Sequence, residues 1–384
     1  MLKRITIGLV LLSGVCFGAG RRPGAVFLMI WPGSRPTALG GAFTAIADDA
    51  SAAYYNPGGL GFQRNIILSM MHVNWLPNLW PGMYYEYLAV AAPFKNVGTF
   101  AFNGIYLTTG ETVVQNESGT VIGTYTTFDL SMGLAYGREI VPSFSVGGGL
   151  KFIYSFLVPE WVLGRLPGLG MSEGGQGLTW AVDAGVLYKP FERLHVGTTL
   201  QNLGPPISFS ATSEPDPLPL MLRMGASYKP LSLLSKDTTK EQFEIVGLRL
   251  TGDITKVLIG MFAVDPPEVD SMSFGQELGY EIGESWRSLG MEVSVYREIL
   301  TLRVGYFFDK SGARGGFVLE ENISTEHVGL FPLLFGSQEG KLTKVGITFG
   351  AGVKYAGFQL DVGVDELIYD FPTANRKFSL TYTF

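Results

Sequence analysis

The sequence predicts an all-β protein, a 14-stranded antiparallel transmembrane β-barrel with an N-terminal plug segment. Three observations predict it. The chain is 46% hydrophobic and 13% aromatic but only 16% charged, against the ~25% charged residues of an ordinary soluble domain. No segment beyond the N-terminus offers the roughly 18 uninterrupted apolar residues that a membrane-crossing helix needs. Apolar residues instead alternate with small and polar ones at a period of two, the signature of strands. A barrel reconciles all three, because it presents its apolar side chains to lipid and its polar ones to the lumen.

The elements follow in order. Lys3 and Arg4 precede an apolar run from Ile5 to Phe17 with small residues after it, so residues 1–20 read as a secretory signal peptide, too short to span a bilayer as a helix. Cys16 is the only cysteine. Once the signal is removed the chain has no thiol for a disulfide, a metal or a nucleophile. Residues 21–62 read as a compact plug. Gly40 and Gly41 make a turn, Asp48 or Asp49 can cap a short helical turn over the small residues that follow, and Asn56-Pro57-Gly58-Gly59 is an extended residue followed by a turn. So few bulky residues could not form a core alone, so this segment should pack inside something larger.

Residues 63–384 supply the barrel. The clearest alternation is at the end, where Phe378, Leu380, Tyr382 and Phe384 oppose Lys377, Ser379, Thr381 and Thr383. Runs of this kind fall near 65–74, 83–94, 97–108, 123–137, 143–157, 177–189, 193–203, 219–229, 244–257, 285–296, 299–309, 345–355, 357–366 and 375–384, an even number of strands. Short connections that join an aromatic residue or proline to a basic one alternate with long ones at 109–122, 158–176, 204–218, 258–284 and 310–344. Short periplasmic turns and long outer loops give that rhythm, with both termini periplasmic.

The stretch from Arg35 to Gly61, RPTALGGAFTAIADDASAAYYNPGGLG, resembles the N-terminal signature of the PorV/PorQ branch of FadL-type bacterial outer-membrane proteins. That family carries Gly-Gly-Ala-Phe, Ala-Asp-Asp-Ala-Ser and Asn-Pro-Ala-Gly elements in this order, and this chain departs from it at Gly58. Gln201-Asn202-Leu203-Gly204, Arg223-Met224-Gly225, Leu302-Arg303-Val304-Gly305-Tyr306 and Val353-Lys354-Tyr355 extend the resemblance along the chain. Phe384 resembles the assembly signal that closes outer-membrane barrels. The resemblance implies an outer-membrane protein of a Gram-negative-type bacterium, exported by a cleaved signal peptide. It also implies a role in type IX secretion, in which the barrel receives the C-terminal signal domains of secreted cargo proteins and passes them to a translocon or attachment-complex barrel. The alternative is a FadL-like transporter of long-chain fatty acids or other hydrophobic small molecules, opened by movement of the plug.

Residues facing away from lipid are expected at Asp129, Lys151, Asp183, His195, Arg223, Arg249, Glu292, Arg303, Lys354 and Asp361. Interspersed signs suit either a watery lumen or one crossed by ion pairs and filled by the plug, since an unpaired charge there is costly. Such a charged inner face argues against an apolar route and for the shuttle. Partner contacts are then expected on the long loops, at the apolar anchors Trp161, Met261, Phe262, Phe331 and Phe335. His72, His195 and His327 are too scattered for a metal cluster, and no nucleophile elbow or phosphate loop stands in a fitting context. The sequence therefore predicts no enzyme, no cofactor and no metal. Asp48–Asp49 could hold a cation, cap a helix or pair with lumen arginines. Outer-membrane lipid is the expected surrounding, and the net charge of −6 argues against nucleic acid.

Overall fold

The computed structural model describes residues 23–77, 82–116, 118–164, 174–210, 214–234, 243–259, 275, 282, 285–308, 345–365 and 374–384. Fourteen antiparallel strands close into a barrel, each paired with its sequence neighbour and β14 with β1. They run β1 Ile67–Asn74, β2 Tyr84–Phe94, β3 Gly98–Gln115, β4 Val121–Val141, β5 Phe144–Phe156, β6 Gln176–Phe191 and β7 Leu194–Leu203. The second half comprises β8 Met221–Leu234, β9 Glu244–Val257, β10 Trp286–Val295, β11 Leu300–Phe308, β12 Val345–Tyr355, β13 Phe358–Asp365 and β14 Asn375–Thr383. Among the described residues no helix is long and apolar enough to cross a membrane.

Burial alternates along the strands as the sequence does. In β2, Tyr85, Tyr87, Ala89 and Ala91 are buried, while Leu88 between them is exposed. Outward-facing aromatic side chains, half-buried or exposed, form two belts. One runs Tyr84, Tyr106, Phe128 and Tyr154, with successive ring centroids under 6 Å apart. The other, beside the short turns, includes Phe94, Phe100 and Tyr136 and, across the seam, Phe358, Tyr382 and Phe384. Such belts sit where a bilayer meets water. The short turns and Phe384 lie at one end, called the turn end below, and the long connections lie at the other, the loop end.

Two features differ from the sequence reading. The connection expected at 109–122 is mostly strand. β3 and β4 keep pairing from Gly110–Thr127 to Gln115–Val121, after a register shift at Thr108/Gly110. β2 stops at Thr108 and β5 at Phe128, so the hairpin projects beyond its neighbours as a two-stranded ribbon. Thr, Val and Glu on both faces gave no apolar stripe to announce it. The start of the plug is also displaced from the expected periplasmic position. Gly24 N–H donates to Pro217 O at 2.9 Å, in the β7–β8 connection at the loop end, so the chain descends the lumen from loop end to turn end before β1 begins.

The barrel's core is this N-terminal segment. It contains a 3-10 turn at Val26–Met29, α1 Ser34–Ala38, α2 Ala52–Tyr55 and a 3-10 helix at Pro57–Phe62. From Ser34 to Gly61 only Arg35, Asp48 and Asp49 are not buried. Inward glycines let its backbone touch the wall. A Cβ at Gly147 would lie 2.2 Å from Pro57 O, and one at Gly363 would lie 2.4 Å from Ser34 O.

Candidate functional site: the filled lumen

The turn at Gly40 and Gly41 is left-handed, with φ of 67° and 81°. Gly41 is held there by close packing as well, since a Cβ would sit 2.3 Å from the Trp31 ring. Asn56 is extended, with φ −162° and ψ 100°. Its Oδ1 accepts from Gly58 N–H at 3.0 Å, and its Nδ2 donates to Thr44 O at 2.8 Å and to Val186 O of β6 at 2.9 Å. Pro57 opens the 3-10 helix, where a missing N–H costs nothing. Gly58 is required for close approach rather than for turning back: its φ is not positive, and a Cβ would lie 2.8 Å from the Val186 backbone. The wall is thus too near for a methyl group at this position.

The aspartates at 48 and 49 part company. Asp49 accepts from Ser51 N–H at 2.8 Å and from its hydroxyl, supporting the entry to α2, which begins later than the sequence suggested. Burial, only partly offset by Arg35, raises its carboxyl above the ordinary value. Asp48 turns instead to arginines, with Oδ1 2.6 Å from Arg35 Nη1 and Oδ2 3.1 Å from Arg249 Nη1. Partial desolvation inside the barrel works to raise its carboxyl, although the side chain is exposed to the lumen, but Arg35 and Arg249 outweigh it and hold Asp48 well below the usual carboxylate range. Among the described residues no three His, Cys, Asp or Glu side chains converge as metal ligands would.

This pair begins a network that ties the plug to β9–β13. Arg35 Nε reaches Glu292 at 2.9 Å, Arg303 Nε reaches the same carboxylate oxygen at 2.8 Å, and Arg303 Nη1 reaches Asp361 at 2.6 Å. Five of the expected inner-face residues and plug residues therefore form one chain: Asp48, Arg249, Glu292, Arg303 and Asp361. Arg35 completes it, a residue the sequence reading passed over although it opens the plug signature. Each charge in this chain of six has an opposite one within hydrogen-bond reach, the arrangement that makes such burial tolerable.

Two further anchors were legible only in part. Lys377 is fully buried, its ammonium 3.1 Å from Asp365, 2.7 Å from Trp31 O and 2.9 Å from Thr37 Oγ1. Asp253 accepts the N–H groups of Phe43 and Thr44, both at 3.0 Å. The alternation at the end of the chain sets Lys377 opposite Phe378, whereas Asp253 is not among the expected inner-face residues, and nothing in the pattern says that either grips plug backbone.

The other expected residues serve elsewhere. Lys151 bonds Asp183 at 2.7 Å and Asn202 Oδ1 at 2.8 Å; Asn202, at φ 64°, donates its N–H to Asp183 and its Nδ2 to Pro219 O. This buried triad pins the β7–β8 connection over the lumen. Asp129 accepts from the Ser155 hydroxyl near the loop end. Lys354 is apart from the network, at the turn end 3.6 Å from Glu298. His195 is half-buried. Arg223 is buried with no carboxylate within 4 Å among the described residues, and its guanidinium carbon lies 5.9 and 5.8 Å from the Tyr54 and Tyr55 rings. Of the loop anchors, Trp161 is 38% exposed and packs edge-on to Tyr125 of the projecting hairpin. Met261, Phe262, Phe331 and Phe335 lie outside the described residues.

The sequence reading of the lumen needs one correction. Charges stand on the inner face around most of the ring, from Asp129 of β4 to Lys377 of β14, but not on the arc β1–β3. On β1–β3 the inner face consists of Ile67, Ser69, Met71, Val73, Tyr85, Tyr87, Ala89, Ala91, Thr99, Ala101, Asn103, Ile105 and Leu107, all buried, with no charge among them. Phe27, Leu28, Met29, Trp31, Tyr54 and Tyr55 of the plug join the apolar members of this wall in one cluster, together with Trp75, Trp286 and Phe307. Listing charges strand by strand hid this, because the uncharged strands contributed nothing to the list.

No family model matches the chain, and no curated protein matches it. Solved structures do. A deletion mutant of the TodX monoaromatic hydrocarbon channel is 12% identical, with 91% of this chain and 98% of that one aligned at a TM-score of 0.51. The toluene transporter TbuX of Ralstonia pickettii is 12% identical over 92% and 98% of the two chains, at a TM-score of 0.49. A FadL homologue of Pseudomonas aeruginosa is 11% identical over 91% and 97%, at 0.41. What is shared at this level of identity is the fold, a closed 14-stranded antiparallel barrel of FadL-like form.

Proposed function

We propose that the chain is an outer-membrane transporter of hydrophobic small molecules, with the N-terminal plug as its gate. The observation that carries this reading is the uncharged β1–β3 wall facing aromatic plug residues. A hydrophobic solute needs a path without unpaired buried charges, and that wall provides one wherever the plug withdraws from it. The ionic network on the opposite wall keeps the plug in place. The hydrocarbon class named for the TodX channel is the first solute to try, and long-chain fatty acids are the second. Outer-membrane vesicles containing the chain should take up labelled toluene or oleate faster than vesicles without it. Ile105→Asp should abolish the excess while leaving a normally heat-modifiable barrel. Uptake equal to that of empty vesicles refutes the transporter.

The projecting β3–β4 ribbon favours a second reading, the type IX shuttle. Val113 and Val121 on it are 51% and 55% exposed, with Trp161 packed alongside, and exposed apolar side chains on a projecting hairpin suit a protein partner. Secreted C-terminal domains or a translocon barrel should then co-purify with the chain and be lost when 111–124 is replaced by a tight turn. Recovery of the same partners from both forms refutes that role for the hairpin.

A further inference from the structure

The rim of the barrel steps at the turn end. β3 begins at Gly98 and its last partner on β4 is Gly137, whereas β4 runs on to Val141 beside β5. The step leaves a pocket of about 580 Å³ between the β2–β3 turn and the β4–β5 hairpin, within the ~300–1,000 Å³ of small-molecule sites. Gly61, Gln63 and Arg64, where the plug leads into β1, complete its lining. Its walls are fixed. Val97 N–H donates to Phe94 O at 3.1 Å, Tyr136 OH donates to Val97 O at 2.5 Å, and Asn96 is left-handed with φ 63°. Gly61 is pressed against β4, where a Cβ would lie 2.5 Å from the Arg138 carbonyl carbon.

The lining carries a surplus of positive charge. Among the described residues Arg64, Lys95 and Arg138 line the pocket, with Glu139 as the one carboxylate. Arg64 satisfies that carboxylate: its guanidinium pairs with Glu139 and also donates to Gly61 O and Gln63 O. Lys95 and Arg138 are exposed and have no ion pair among the described residues. Beside them Phe94, Val97, Ile140 and Val141 are exposed apolar side chains of the same pocket, continuous with the belt of Phe94, Phe100 and Tyr136. Such a belt marks the level of the headgroups. Two unpaired cations there, flanked by apolar side chains, match a molecule that is anionic at one end and hydrocarbon at the other.

We propose that this pocket holds the headgroup of one anionic phospholipid of the phosphatidylglycerol type. The phosphate accepts from Lys95 and Arg138, and the acyl chains lie along Phe94, Val97 and Ile140. The assignment rests on the outer-membrane reading, in which short turns face the periplasm and the leaflet on that side is built of phospholipid. Charge selects the headgroup. The ammonium of an ethanolamine or choline lipid would add a cation to a pocket that already has two in excess, whereas a glycerol headgroup adds none. Arg64 places the bound lipid against the residues that lead out of the plug.

The test is native mass spectrometry of the full chain in detergent, mixed with dioleoyl phosphatidylglycerol, phosphatidylethanolamine or phosphatidylcholine. One phosphatidylglycerol should stay bound at collision energies that strip the other two, with at least a tenfold preference. K95A/R138A should lose that preference, K95R/R138K should keep it, and heat-modifiability checks that both variants fold. Equal retention of the three lipids by wild type overturns the headgroup assignment. The same preference in wild type and K95A/R138A overturns the site, leaving only general boundary lipid. Loss of preference in K95R/R138K as well overturns selection by charge. Displacement of the bound lipid by equimolar glycerophosphoglycerol shows that the pocket reads a free phosphodiester and overturns the lipid assignment. Binding is read without transport, so failure of this site and failure of the transporter are separate results.

Discussion

The two walls of the lumen hold the same plug by different physics. On β9–β14 the contacts are directional: Glu292 and Arg249 meet Arg35 and Asp48, Asp253 meets two backbone N–H groups, and Lys377 meets Trp31 O and Thr37. On β1–β3 the plug meets uncharged side chains, mainly methyl groups and aromatic faces, and the hydrogen bonds there are neutral ones, Gly33 N–H to Met71 Sδ and Tyr85 OH to Ile30 O. Hydrogen-bonded ion pairs fix one geometry and fail steeply when displaced, whereas apolar contacts are non-directional and can re-form after a shift. A plug held in this way is anchored by charge on one arc of the wall and by uncharged contacts on the other. The comparison also shows how an inner face with many charges can still include an uncharged arc.

The largest effect should come from Lys377→Met. It leaves Asp365, Trp31 O and Thr37 Oγ1 buried without their cation, and removing one partner from a buried pair costs about 3–5 kcal/mol. The plug should become susceptible to protease, and single-channel conductance in planar bilayers should rise from near zero toward that of an open pore. An unchanged closed state would show that the ionic wall does not hold the plug. Next comes Gly147→Val, which forces a side chain into Pro57 O. It should dislodge the turn-end half of the plug while the β5–β6 pairing survives, visible as protease cleavage near 57–62 without loss of heat-modifiability.

Arg35→Ala should have a smaller effect than Lys377→Met, because Arg303 still neutralises Glu292 and Arg249 still meets Asp48. A loss of roughly 1–3 kcal/mol, typical of a charged hydrogen bond, should appear as intermittent rather than continuous channel opening. On the opposite wall, Leu107→Ala removes apolar packing without removing an anchor. It should lower the thermal midpoint by a core-cavity amount of about 2–4 kcal/mol and leave the closed conductance unchanged. Frequent openings in Leu107→Ala but not in Arg35→Ala would reverse the roles of the charged and uncharged arcs.

The smallest effect should be that of pH. Asp48 is held below the usual carboxylate range, so its contribution to holding the plug is fully present above about pH 4, the ordinary Asp value. It is lost only as pH falls through the depressed folded value. Conductance should therefore be the same at pH 7 and pH 5. Opening between those values that persists in Asp49→Asn and Asp253→Asn would mean that Asp48 is not paired as the structure places it.

The sequence by itself determined the barrel, the strand count and the inner and outer faces, because side-chain direction in a strand is set by a period of two that survives in any register of reading. It also marked the plug motif, whose Gly40–Gly41 turn and Asn56-Pro57 step rest on local backbone preferences. Tertiary structure decided what those inner side chains meet. Lys377 and Trp31 are separated by most of the chain, and only closure of β14 onto β1 around the plug brings them together. Arg35 joined the ionic chain for the same reason, and Gly58 proved necessary because of a wall distance rather than a turn. The division into an apolar and an ionic wall likewise depends on which strands become neighbours in the closed ring, and on which side the plug leans. Periodicity assigns each residue to a face, but it carries no information about the partner across the lumen, which is fixed by closure and packing alone.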